Sequence, residues 1–191
     1  ACLVIFGGDT DEIAGTIVSS EGAGWQSDQP TVPGARFGPG EYLLQSGVAT
    51  LRFDSGAEME LEAPAKFTVV SAMQVRFDYG EPSFFVPESA VGFRVDTRYG
   101  SVIDHGTEFS LRIRADEPRG MVAAVHDGEI AIHHRDGEVR HLMTGEAAEA
   151  GVGARGLSVP IRGPGGQFAM FTVNDGQSER SWERFTREHL N

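Results

Sequence analysis

The chain has 191 residues, a mass of 20.6 kDa and 40% hydrophobic residues, enough to bury the core of one globular domain. Its formal net charge is -12 and Lys66 is its only lysine. Without a basic stripe, duplex nucleic acid and anionic bilayers are excluded as partners held by charge. A single cysteine, Cys2, excludes an internal disulfide framework.

In chain order, residues 1–12 open with the apolar run Ala1-Cys2-Leu3-Val4-Ile5-Phe6, too short to span a bilayer as it stands. This segment reads as a first strand or as the end of a membrane span or signal, with lipidation of Cys2 a third reading. Residues 13–150 carry a succession of strand and turn signals, including Gly47 to Ala57 and Leu61 to Ala65. Glu58, Glu60 and Glu62 alternate with Met59 and Leu61, an acidic stripe outside an apolar face. Leu51 to Gly56 and Val75 to Gly80 repeat the pattern apolar, Arg, Phe, Asp, any, Gly, as one coil of a solenoid or one hairpin unit of a sandwich would.

From Phe93 to Leu111 the sequence is FRVDTRYGSVIDHGTEFSL. Phe93, Val95 and Thr97 share one face of a half-buried strand, while Arg94, Asp96 and Arg98 share the other. Tyr99 and Gly100 make a turn, and Gly106 marks a bulge or a close approach before Thr107 and Phe109 restart the alternation. Asp127-Gly128 and Asp136-Gly137 read as two-residue hairpin turns. That register pairs Val125 with Ile130 and His134 with Val139, and places His134 and His141 on one surface.

Residues 151–191 form a Gly/Pro-rich segment with a short late strand at Phe168 to Phe171 and a terminal helix. Ser178 is suited to cap that helix, Glu183/Arg187 and Arg184/Glu188 pair at i,i+4, and Trp182 and Phe185 share a face with Leu190 at its margin. Trp182, Phe185 and Leu190 are therefore the candidate partner-binding residues. The expected fold is all-β, of stacked short antiparallel strands in a solenoid-like or sandwich arrangement, with this short C-terminal helix.

The F-x-V-x-T strand at 93–97 followed by Gly106-Thr107-Glu108-Phe109 resembles the core signature of the FecR family, the extracytoplasmic domain of bacterial anti-sigma regulators. The strand and turn order from residue 45 to residue 147 is similar to that family throughout. The resemblance implies a domain outside the inner membrane that transmits receptor occupancy to a cytoplasmic segment controlling a sigma factor. Two parts of the family's plan are not recognisable here, an N-terminal helical anti-sigma segment and a βαβ receptor-contact subdomain after residue 150.

No constellation for chemistry accompanies the resemblance. Gly151-Val152-Gly153-Ala154-Arg155-Gly156 satisfies G-x-G-x-x-G, but Leu157-Ser158-Val159-Pro160 follows where a phosphate-binding helix must begin, so no nucleotide is expected. His133 and His134 diverge across one strand, leaving too few convergent ligands for a metal. Asp104 and His105 diverge likewise and do not form a triad with Ser101. The expectation is a non-enzymatic, cofactor-free protein-interaction or accessory assembly module. It would be periplasmic or otherwise extracytoplasmic, its partner a membrane protein complex or receptor. The alternatives are the signal-transducing part of an anti-sigma regulator, or a carbohydrate-binding module with Trp25, Tyr42, Tyr79 and Tyr99 as its aromatic platform.

Overall fold

The computed structural model describes residues 13–114, 120–135, 137–150, 157–162, 168–173, 178–179 and 184–185. The N-terminal segment 1–12 lies outside them. Almost everything described is strand: β1 (Gly15–Gln26), β2 (Arg36–Phe37), β3 (Gly40–Phe53), β4 (Glu58–Ser71), β5 (Gln74–Phe85), β6 (Arg94–Thr97), β7 (Gly100–Asp104) and β8 (Glu108–Ile113). There follow β9 (Met121–Asp127), β10 (Glu129–His134), β11 (Val139–Met143), β12 (Ala147–Ala150), β13 (Leu157–Arg162), β14 (Phe168–Val173), β15 (Ser178–Glu179) and β16 (Arg184–Phe185). A 3-10 turn at Glu88–Ala90 lies between β5 and β6. The all-β expectation is met: the alternations at 48–53 and 129–132 lie within strands, and those at 57–61 and 93–97 each begin one residue before β4 and β6.

Twelve strands form one mixed sheet, in which β1, β3, β4 and β5 are long and antiparallel. Their pairing breaks between Glu21 and Gly24, between Leu44 and Val48, and between Glu62 and Lys66. These breaks lie opposite one another and make a crease across the four strands. Bulges of this kind bend a strand and increase its local twist. At Gly47, φ is +78° and an added Cβ would fall 2.3 Å from the carbonyl oxygen of Glu21, so only glycine fits the crease there.

The crease divides the sheet into two leaves. Residues 81–85 of β5 run antiparallel to β8, which leads to β9 and β12, while residues 74–77 run parallel to β6, which leads to β7, β10 and β11. The leaves close on an aromatic circuit: Phe37–Tyr42, Tyr42–Phe67, Phe67–Phe77, Phe77–Phe84, Phe84–Phe93, Phe93–Phe53 and Phe53–Phe37, with centroid separations of 5.0 to 6.4 Å. All seven rings are at most 2% exposed. Each fully buried side chain of this size contributes about 1.5–3 kcal/mol from removal of apolar surface. The two copies of the apolar-Arg-Phe-Asp pattern each supply one of these phenylalanines, Phe53 and Phe77. They are not coils of a solenoid: the first ends in a turn and the second runs on through β5.

Three expectations require correction. Asp127-Gly128 is not a hairpin turn, because β9 pairs with β8 and β12 whereas β10 pairs with β7 and β11. The apolar run Met121 to Val125 is buried on both faces and takes a neighbour on each side, so the chain crosses to the other leaf at Gly128. The β10–β11 hairpin does form, but with three loop residues, closed by the His134 amide donating to the Glu138 carbonyl at 2.8 Å. A three-residue loop with glycine at its left-handed position, here Gly137 at φ +91°, is a common alternative to the two-residue turn. It pairs His133 with Val139 and Ala131 with His141, and this one-residue slip turns every β11 side chain over.

The third correction concerns the C-terminal helix. Ser178–Glu179 pairs with Thr172 and Val173, and Arg184–Phe185 pairs with Phe168 and Ala169, within a second, four-stranded sheet around β14. Two i,i+4 pairs worth about 0.2–0.5 kcal/mol each are weak support for a helix this short, whereas the edge of β14 offers backbone partners directly. Trp182 and Leu190 lie outside the described residues, and Phe185 lies on β16.

Candidate functional site

The outward face of the second leaf carries a groove of ≈ 820 Å³ across β5, β6, β7 and β10. Its lining includes Arg76, Arg94, Asp96, Arg98, Ser101 and His133, with Arg135 at one end. The strand alternation that sends Val95 and Thr97 into the core sends Arg94 and Asp96 outward, and cross-strand pairing extends them into a row. Arg76 lies opposite Asp96, Asp96 opposite Ser101, and Ser101 opposite His133. Three strand spacings of about 4.8 Å make that row roughly 14 Å long.

Hydrogen bonds hold the floor of the groove. Asp96 accepts from Ser101 Oγ at 2.6 Å and Arg94 Nε at 2.7 Å on one carboxylate oxygen, and from Gln74 Nε2 at 2.6 Å on the other. Arg94 Nη2 also donates to Ser101 Oγ at 3.0 Å. Burial by itself would raise the Asp96 pKa, but these donors and the Arg94 charge outweigh it and hold the carboxyl below its ordinary value. At the same end of the sheet as Arg135, the β6–β7 turn presents Arg98, whose guanidinium carbon lies 5.1 Å from the Tyr99 ring centroid. Pairing of Gly100 with His134 brings the two turns to that end together.

The charges around the groove are unevenly matched. Elsewhere Arg36 and Arg52 on the surface and the buried Arg112 each meet a carboxylate, from Asp54, Glu58 and Glu81 respectively. In the groove Arg94 is matched by Asp96, and Asp78 is matched by Lys66 at 3.3 Å. Arg76 and Arg135 are exposed and have no carboxylate partner among the described residues. The result is a cationic concavity on a strongly acidic chain.

Other candidates fall differently. The slip in β11 places His141 on the outer face with His133, apart from His134; His141 stacks at 6.1 Å on His105 and its Nδ1 lies 2.6 Å from Glu129 Oε1. Among the described residues no group of three or more His, Cys, Asp or Glu is placed to hold a metal. Asp104 is buried at the end of β7, and His105, in the bend that follows, is exposed. Gly106 has φ +92° and donates its amide to Asp104 Oδ2 at 2.6 Å, a turn that explains the glycine of the Gly-Thr-Glu-Phe segment. The carbohydrate platform does not exist as such: Tyr42 is 0% exposed, its hydroxyl donating to the Gly38 carbonyl, and Trp25 packs edge-on against Tyr42 and Phe67.

One buried polar chain had no signature in the sequence. Ser83 Oγ lies 3.1 Å from Ser110 Oγ, which lies 2.8 Å from His126 Nε2. These residues come from β5, β8 and β9 and meet only through the sheet pairing. Burial lowers the His126 pKa, which favours the neutral ring.

A family model described as an autoinducer binding domain matches residues 120–191, less than half of the chain. No curated protein matches. Two crystal structures of a protein from Parabacteroides distasonis, described as an anti-sigma factor, are similar in fold: one is 15% identical with a TM-score of 0.49, covering 78% of this chain, and the other 13% identical with a TM-score of 0.48, covering 87%. This chain spans about 62% of the length of each.

Proposed function

We propose that the chain is a non-enzymatic, extracytoplasmic protein-interaction domain that binds through the groove across β5, β6, β7 and β10. The observation that carries this reading is the row Arg76–Asp96–Ser101–His133, an outward face with a fixed hydrogen-bonded floor and exposed cations along its rim. A rigid sheet holding polar groups in place lowers the ordering cost of recognition. The FecR resemblance of residues 45–147 supports a location outside the cytoplasm and a role in a membrane-associated complex, including the signal-transducing part of an anti-sigma regulator. Binding of a small autoinducer, the reading suggested by the match at 120–191, favours an apolar enclosure, whereas this groove is charged and open to solvent.

Site-specific photocrosslinking in the native host tests the proposal. A crosslinker replacing His133 or Tyr79 is expected to give one discrete protein adduct, and a crosslinker replacing Glu60 on the other leaf is expected to give none. Adducts from Glu60 alone would place the interface elsewhere.

A further inference from the structure

We infer that the groove recognises an acidic peptide segment, with Arg76 and Arg135 as the carboxylate-binding residues. This inference rests on the groove being the interface and names the chemistry of what enters it. The two carboxylates in the groove are already engaged, Asp96 by Arg94, Ser101 and Gln74, and Asp78 by Lys66. The pKa of Lys66 is raised, first by its hydrogen bond to Asp78 and then by the charges of Asp78 and Glu41, so the ammonium that neutralises Asp78 is retained. The Arg76 and Arg135 guanidinium groups are left facing solvent on opposite sides of the floor.

Guanidinium groups match carboxylates bidentately, and Arg76 and Arg135, with no carboxylate partner among the described residues, are free to take one from a ligand. A long polyanion is disfavoured because the whole chain carries -12 and repels it along its length. A short acidic segment senses chiefly the charges within a Debye length of about 8 Å at physiological salt, where the groove dominates. An anionic saccharide would find a single tyrosine ring, Tyr79, in the groove lining, and is the competing ligand of the test.

The test titrates the full chain with a short Glu- and Asp-rich peptide, its Gln and Asn counterpart, and an oligogalacturonate, by calorimetry at physiological salt. The acidic peptide is expected to bind about tenfold or more tightly than the amide peptide, a difference set by the carboxylates alone. Arg76→Gln with Arg135→Gln is expected to abolish that preference, while Arg52→Gln on the other leaf leaves it intact. Equal binding of both peptides, or equal weakening by Arg52→Gln, overturns the inference, as does binding of the oligogalacturonate without the peptide. His133→Trp, which fills the groove without removing an arginine, separates the two levels of the argument. If it abolishes the native crosslink from Tyr79 while the paired glutamine variant does not, the groove is the interface but its ligand is not acidic.

Discussion

Arg94 Nε lies 2.7 Å from Asp96 Oδ1, two residues along one strand and on the same face of β6. Same-face neighbours at i,i+2 stand about 7 Å apart at their Cα atoms, a gap the two side chains span, with Ser101 and Gln74 also donating to the carboxylate. Asp96→Asn removes the charge and at least one acceptor from this network. It is expected to cost about 1–3 kcal/mol of stability at neutral pH, read from the denaturant midpoint. Since the folded pKa of Asp96 is depressed, its contribution is complete above the ordinary carboxylate range and is lost as pH falls through the folded value. The variant's stability should therefore fall less than that of the wild type on acidification; an unchanged acid profile would contradict the network.

His126 titrates in the opposite sense to a paired histidine. Burial depresses its folded pKa below the ordinary value, so the unfolded chain takes up the proton first. Its neutral form supports stability above about pH 6.5, and that support is lost as pH falls toward the folded pKa. Thermal unfolding followed between neutral and mildly acidic pH should show a decline that His126→Gln reduces.

Asp104 offers a third titration. Burial raises its pKa, partly offset by the Gly106 amide that donates to Oδ2, and its Oδ1 has no hydrogen-bond partner among the described residues. The folded state holds the proton more tightly, so stability falls as pH rises from the ordinary carboxylate value to the raised one, then stays lower. Asp104→Asn keeps an acceptor for Gly106 without the charge. It is expected to be neutral or stabilising at pH 7, and a loss of more than about 1 kcal/mol would show that the carboxylate has a partner not identified here.

The crease is testable through Gly47. Gly47→Ala combines a left-handed backbone position with a Cβ 2.3 Å from the Glu21 carbonyl oxygen, and is expected to cost about 1–3 kcal/mol or more. Gly137→Ala, where nothing lies within 4 Å of the added Cβ, retains only the backbone strain and should cost less. Equal losses would remove close packing at the crease from the account.

The alternation of Phe93 to Arg98 was legible because its inward and outward sets differ sharply in polarity, and the structure keeps both sets where the pattern places them. Loop length was not legible at Asp136-Gly137, since the same dipeptide suits two- and three-residue loops and only burial of Leu142 beside Ile130 and Ile132 decides between them. The crease was hidden because Gly47 and Gly80 read equally well as strand ends. The groove was hidden for a different reason. Arg76, Asp96, Ser101 and His133 are distant in sequence, and they become neighbours only because β5 gives one half of its length to β6 and the other to β8.

Backbone amide chemical-shift mapping of the full chain during titration with the acidic peptide tests the central claim most directly. The account predicts saturable shifts at Arg76, at Arg94 to Ser101 and at His133 to Arg135, with Glu58 to Glu62 on the other leaf unaffected. Shifts centred on Glu58 to Glu62, or spread over the surface without saturation, would contradict it.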